Sequence, residues 1–214
     1  MVNEILPLCS KVFFLNPDLS HFVPEGTFLP YACVDVDSIE PVPPGNTKEI
    51  TILHAPTDSF IKGTHFITRT MDKLKKKFPI NFRLIQNLTH EDAFKLYRTA
   101  DIVIDQLLCG WYGGFAVEAM AMGKPVVCYM RESDLSSIPA PMREEIPVLS
   151  ARPDNLEERL TEILEQRGRW QEWSERSVSY VRKWHNPKHI AKAMIESYIS
   201  KESHFDLEKV VENI

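Results

Sequence analysis

No apolar run in this 214-residue sequence approaches the ~18–20 residues that a membrane-spanning helix needs. No segment is therefore expected to cross a bilayer by itself. The first residues lack the basic, apolar and small-residue zones of a secretory leader. Cysteine is sparse. Cys9, Cys33, Cys109 and Cys128 form no C-x-x-C pair, and no histidine stands at zinc-ligand spacing. That excludes a disulfide framework and a structural zinc site as organising features, and points to a reducing cytosol. Glycine is also scarce, with 8 residues and no G-x-G-x-x-G run, so the usual dinucleotide fingerprint is missing. Basic charge is not in excess. A net charge of -5 argues against a nucleic-acid partner, which would require phosphate neutralisation. There is no internal repeat and no low-complexity tract.

What remains is ordinary globular material: 43% hydrophobic and 26% charged residues. The length suits one large domain, or one domain with appendages. Proline gathers early, at Pro24, Pro30, Pro41, Pro43 and Pro44. Residues 1–47 therefore read as one strand, at 11–15, and a connecting arm. From residue 48 the pattern alternates. Strands are predicted at 50–54, 81–85, 101–105 and 125–130, with a weak one at 147–149. Helices are predicted at 64–78, 89–100 and 114–122, the second opened by a cap-like Thr89. Three more helices fill 154–201, divided at Gly168 and Pro187. Residues 202–214 read as a tail. Short, nearly continuous apolar strands alternating with helices predict an α/β fold, a Rossmann-like doubly wound parallel sheet with C-terminal helices.

In such sheets ligands sit beyond the carboxyl ends of the strands. The richest loop follows Asp105 and carries Gly110, Gly113 and Gly114. Its glycines allow close backbone approach. The helix after it offers free N–H groups and a positive dipole end, which suits a diphosphate. Glu118 lies one turn inside that helix, on the side of Gly114. Its carboxylate would repel phosphate and suits a ribose diol. Lys62, beside Gly63 and after the first strand of the sheet, faces the same crevice and can neutralise a diphosphate. Against this stands the plainer reading: turn glycines, an exposed helix glutamate and a solvated lysine.

These residues together resemble the donor domain of the GT-B retaining glycosyltransferase family (group 4). The matching runs are Ile-Lys-Gly at 61–63, HEDAFKLYRTAD at 90–101 and, most specifically, GGFAVEAMAMGKPVV at 113–127. The resemblance covers roughly residues 50–201. It implies that 1–47 are the end of an N-terminal domain plus linker, with the acceptor-binding domain itself outside this chain. It implies that residues 180–198 include a helix that crosses back to that domain.

The resemblance also implies a mechanism. Lys62 and the backbone N–H groups of Gly113, Gly114, Phe115 and Ala116 would hold the diphosphate of a UDP- or GDP-linked sugar. Glu118 would hold the ribose. Asn87 and Leu88, in the loop 86–89, would face the base. Lys62 and Glu118 would serve catalysis, with leaving-group charge stabilised electrostatically. No metal or cofactor is implied. The partner would be a carbohydrate or lipid-linked acceptor reached through the missing domain. The setting would be cytoplasmic polysaccharide biosynthesis, with peripheral membrane association open to the full enzyme. The family's Glu-x7-Glu pattern would place an acid where Gly110 stands, leaving sugar contact to the 110–114 backbone, Asp105 or Gln106. A basic residue expected a few positions before Lys62 is replaced by Asp58, Ser59 and Phe60. Isolated activity is not expected. The alternatives are a non-catalytic nucleotide-sugar-binding module and a GT-B-like nucleotide-sugar epimerase. A dinucleotide oxidoreductase is opposed by the glycine spacing.

Other residues read as structural. His54 is expected to be a hydrogen-bonded core histidine and His90 a surface or cap residue. Lys73, Lys75, Lys76 and Lys77 form a solvated helix end. Trp170, Trp173 and Trp184 are expected core anchors, and Cys128 a buried thiol. Trp111 and Tyr112 could pack on a sugar, on the missing domain or simply within the loop.

Overall fold

The computed structural model describes residues 2–199 and 205–213. The first segment holds α1 (Val2–Ile5), β1 (Phe13–Phe14) and β2 (Thr27–Phe28). The strand expected at 11–15 is thus short, and a second strand pairs with it in parallel, Phe13 against Thr27 and Phe14 against Phe28. The main body follows: β3 (Ile50–His54), α2 (Thr64–Leu74), β4 (Ile80–Leu84), α3 (His90–Tyr97), β5 (Ile102–Ile104) and α4 (Gly114–Ala121). Then come β6 (Val126–Cys128), α5 (Ala140–Glu144), β7 (Leu149–Ser150), α6 (Leu156–Glu165), α7 (Trp170–Trp184), α8 (Pro187–Ile199) and α9 (Leu207–Glu212). The expected end of the last helix near 201 lies outside the described residues. Residues 207–212, read from the sequence as tail, form α9, whose Leu207 and Val210 are buried. No described helix is long and apolar enough to cross a membrane.

The main sheet has five parallel strands in the order β4-β3-β5-β6-β7. Successive side chains on a strand point to opposite faces. Ile50, Ile52, Ile102, Ile104 and Val127 face one way, with Ile67, Met71, Leu156, Leu160, Trp170 and Trp173 from α2, α6 and α7. Leu53, Val103, Val126 and Cys128 face the other way, with Ala116, Val117, Met120, Tyr180 and Trp184. Both faces are covered, and that is why the strands read as continuous apolar runs. Each fully buried Ile or Leu contributes roughly 1.5–3 kcal/mol. The doubly wound α/β reading of the sequence therefore holds.

Arg167–Arg169 form a 3-10 turn at the expected break between α6 and α7. The lysines at 73, 75, 76 and 77 are exposed, as expected, and Lys73 reaches Glu157 at 2.7 Å.

Candidate functional site

Strand order reverses between β3 and β5, because β4 returns to the outer side of β3. In open α/β sheets this is where a crevice opens beyond the carboxyl ends. A cleft of about 680 Å³ lies there, lined by the loops after β3 and β5 and by the N-terminal segment.

Lys62 reaches the cleft through a specific local fold. Asp58 Oδ1 accepts from the N–H groups of Phe60 and Ile61, at 2.8 and 2.9 Å, which tightens the turn before α2. Gly63 then takes φ 73°, a left-handed conformation that a side chain would strain. The Lys62 Nζ so placed donates to Asp105 Oδ1 at 2.5 Å. Asp105 is fully buried, and its other oxygen accepts from Gly113 N at 2.7 Å. One carboxylate thus ties the lysine to the glycine loop.

Behind this pair stands His54, also fully buried. Its Nδ1 donates to the Ile104 carbonyl at 2.8 Å, so its Nε2 accepts from Thr64 Oγ1 at 2.9 Å. Burial pushes its pKa down to about 4. His54 is the structural histidine that its sequence position suggested.

Gly113 precedes α4 in extended conformation. The first turn of a helix leaves N–H groups without intrahelical partners. The Ala116 N–H already donates to Gly113 O at 3.0 Å, so Gly114 and Phe115 carry the open positions. Glu118 lines the cleft from the next turn and is nearly buried, at 9% exposure. Its Oε1 contacts His90 Nε2 at 2.7 Å. His90 stands at the start of α3, directly after the N-cap Thr89, whose side chain accepts from Asp92 N at 3.2 Å. His90 is the exposed helix-start residue that the sequence suggested, and it also contacts the carboxylate of Glu118.

The opposite wall comes from the N-terminal segment through Asn16, Asp18, Tyr31 and Cys33. Tyr31 OH donates to Asn16 Oδ1 at 2.6 Å, and the Tyr31 carbonyl accepts from His185 Nδ1 at 2.8 Å. His185 Nε2 meets Tyr112 OH at 2.9 Å, and Tyr112 OH meets Tyr180 OH at 2.8 Å. This buried network fastens the N-terminal segment and the glycine loop to α7. Burial lowers the His185 pKa to about 4. Trp111 and Tyr112 are both buried, and Trp111 meets Phe28 edge-on with ring centroids 5.7 Å apart. Trp111 and Tyr112 also stack on each other, so they pack within the loop and tie it to the N-terminal segment and to α7.

Gly110 has φ 83°. A Cβ there would lie 2.8 Å from Arg131 Cβ and 3.1 Å from its guanidinium carbon. The space is therefore taken by Arg131, which lines the cleft. Asp134, nearly buried, accepts from Arg131 Nη1 at 2.9 Å.

Of the residues read from the sequence, Lys62, Gly113, Gly114, Phe115 and Glu118 meet in this cleft. Ala116 is fully buried behind it. Asn87, with φ 57°, and Leu88 are exposed and lie outside its lining. Asp105, considered from the sequence only as a sugar contact, has both oxygens engaged within the protein. The pairing partner of Lys62 and the His90–Glu118 contact escaped the sequence reading; Arg131, which follows a strand, reads from the sequence as near the site but without a role. An acid closing the apolar run DIVID was the one available signal.

No protein-family model matches the chain, and no curated protein matches it. Solved structures do. Sucrose-phosphate synthase from Thermosynechococcus elongatus matches with a TM-score of 0.64 at 17% identity, over 88% of this chain and 57% of that one. TarM of S. aureus, solved as a point mutant with fondaparinux, alpha-GlcNAc-glycerol and UDP, matches with a TM-score of 0.69 at 11% identity. That match covers 92% of this chain and 45% of TarM. Anabaena HepE in complex with UDP-glucose matches with a TM-score of 0.63 at 12% identity, over 92% of this chain and 66% of HepE. The chain shares the fold of GT-B glycosyltransferases. It spans between 45% and 66% of the length of these three structures.

Proposed function

We propose that this chain is the nucleotide-sugar-binding half of a retaining glycosyltransferase. It takes a UDP- or GDP-linked sugar and, with an N-terminal acceptor domain, transfers the sugar to an acceptor hydroxyl. The observation that carries this reading is the convergence of Lys62, the open N–H groups of α4 and Glu118 on one cleft at the switch point of the sheet. Lys62 and the Gly114 and Phe115 N–H groups hold the diphosphate. Glu118, oriented by His90, takes the ribose diol. As the sugar leaves, charge grows on the diphosphate, and fixed N–H groups and cations stabilise it there. The acceptor, carbohydrate or lipid-linked, approaches from the acceptor domain, so the isolated chain binds donor and turns it over poorly. In this reading no metal or cofactor takes part, and the enzyme works in the cytoplasm on polysaccharide synthesis.

UDP- and UDP-glucose-bound structures among the neighbours support the reading. Calorimetric titration with UDP and GDP tests it. One of the two should bind in the micromolar-to-millimolar range, and Glu118→Ala should weaken it. Lys62→Ala should weaken the diphosphate more than the free nucleoside. No heat with any nucleoside diphosphate would sink the reading.

A further inference from the structure

Lys62 cannot balance a nucleotide sugar alone. The diphosphate of such a donor carries about two negative charges, and the lysine ammonium is shared with the buried Asp105. Apart from Lys62 and His90, the basic residue lining the cleft is Arg131. The acids of the lining, Asp18 and Glu118, offset no phosphate charge.

Arg131 is held in place from three sides. Its backbone N–H donates to Gly110 O at 2.8 Å. Its guanidinium lies against the bare Cα of Gly110, where a Cβ would come within 3.1 Å of the guanidinium carbon and 3.2 Å of Nε. Asp134, with a side chain 3% exposed, grips Nη1 from behind and also accepts from Ser133 Oγ at 3.0 Å and meets His21 Nε2 at 3.2 Å. A guanidinium has five N–H donors; the Asp134 and Tyr129 side chains engage it, and the remaining donors can turn towards a ligand. Position along the loop supplies the rest. In the donor-site reading Glu118 takes the ribose and the start of α4 the phosphates, which leaves the segment before α4, where Gly110 seats Arg131, for the sugar end.

We infer that Arg131 is the second cation of the diphosphate site and contacts the phosphate that bears the sugar. The inference rests on the donor-site reading above. In it, glycine at position 110 gives a guanidinium from the loop after β6 room to reach that phosphate. Guanidinium matches phosphate oxygens in a two-pronged fashion and stays charged throughout.

The test compares UDP with UMP, and GDP with GMP, since only the diphosphates carry the second phosphate. Arg131→Gln should weaken the bound diphosphate about tenfold or more and the monophosphate less than about twofold. Gly110→Ala, which forces Arg131 aside, should give the same selective loss, and the double variant should lose little more than either alone. Should Arg131→Gln fail to fold by circular dichroism, Gly110→Ala and Arg131→Lys carry the same comparison. Equal losses for diphosphate and monophosphate, or no loss for the diphosphate, would overturn the assignment. A wild-type chain that binds no nucleoside diphosphate would overturn the donor-site reading and the assignment with it. Wild-type binding unchanged by Arg131→Gln would overturn the assignment alone.

Discussion

Lys62 and Asp105 form a buried ion pair, Nζ to Oδ1 at 2.5 Å, that joins the loop after β3 to the loop after β5. The pair straddles the point where strand order reverses. Asp105 gains a second bond from Gly113 N, so the charge of the carboxylate also sets the glycine loop. Breaking a buried pair from one side leaves the other charge without compensation. Removing one partner costs roughly 3–5 kcal/mol, whereas replacing both by apolar residues can be near neutral. Lys62→Met alone should therefore destabilise the chain strongly in urea unfolding, and Lys62→Met with Asp105→Leu should restore part of the loss. Additive losses would mean that the two residues do not depend on each other.

Stability should fall on acidification between pH 6.5 and 4. His54 and His185 are buried, with pKa values lowered from 6.5 to about 4 by desolvation. Below pH 6.5 the unfolded chain binds protons at both histidines and the folded chain does not. The stability is fully present above 6.5 and is lost as pH falls through that window. Each histidine contributes about 3 kcal/mol at most to this loss. Denaturant midpoints measured at pH 7.5, 6 and 5 should decline in step, and His185→Gln should flatten the decline. A midpoint that stays level from 7.5 to 5 would contradict the neutral, buried assignment of both rings.

Thr89 caps α3 by accepting from Asp92 N at 3.2 Å. Losing such a cap costs about 1 kcal/mol. Thr89→Ala should lower stability by about that much. Because His90 follows directly, the Glu118 contact loosens as well, and nucleotide affinity should drop modestly. Thr89→Ser, which keeps the hydroxyl, should restore both.

Gly63 joins the Lys62 turn to α2 at φ 73°. Its missing Cβ would sit 3.4 Å from Leu107 Cβ and Leu108 Cγ. Gly63→Ala should cost roughly 1–2 kcal/mol through left-handed strain. It should also tilt Lys62 away from Asp105. The expected sign is a lowered denaturant midpoint together with weakened diphosphate binding. An unchanged midpoint would show that the turn relaxes freely.

Periodicity alone carried much of this protein. The parallel sheet follows from short, nearly continuous apolar runs such as ITILH and IVI, and the helix stripes follow from apolar spacing, because burial on both faces of the sheet favours apolar residues there. Lys62, Gly113, Gly114, Phe115 and Glu118 were also legible, since they stand at strand-to-helix junctions, where a parallel sheet leaves its crevice. Contacts between residues far apart in the chain were not. Asp105 with Lys62, His90 with Glu118, and the N-terminal wall of Asn16, Asp18, Tyr31 and Cys33 depend on strand order and on how segment 1–47 folds back. Sequence spacing says nothing about which loops a crossover brings together. The gap at Gly110, an absent acid when read along the chain, became a seat for Arg131 only once β5 and β6 lay side by side.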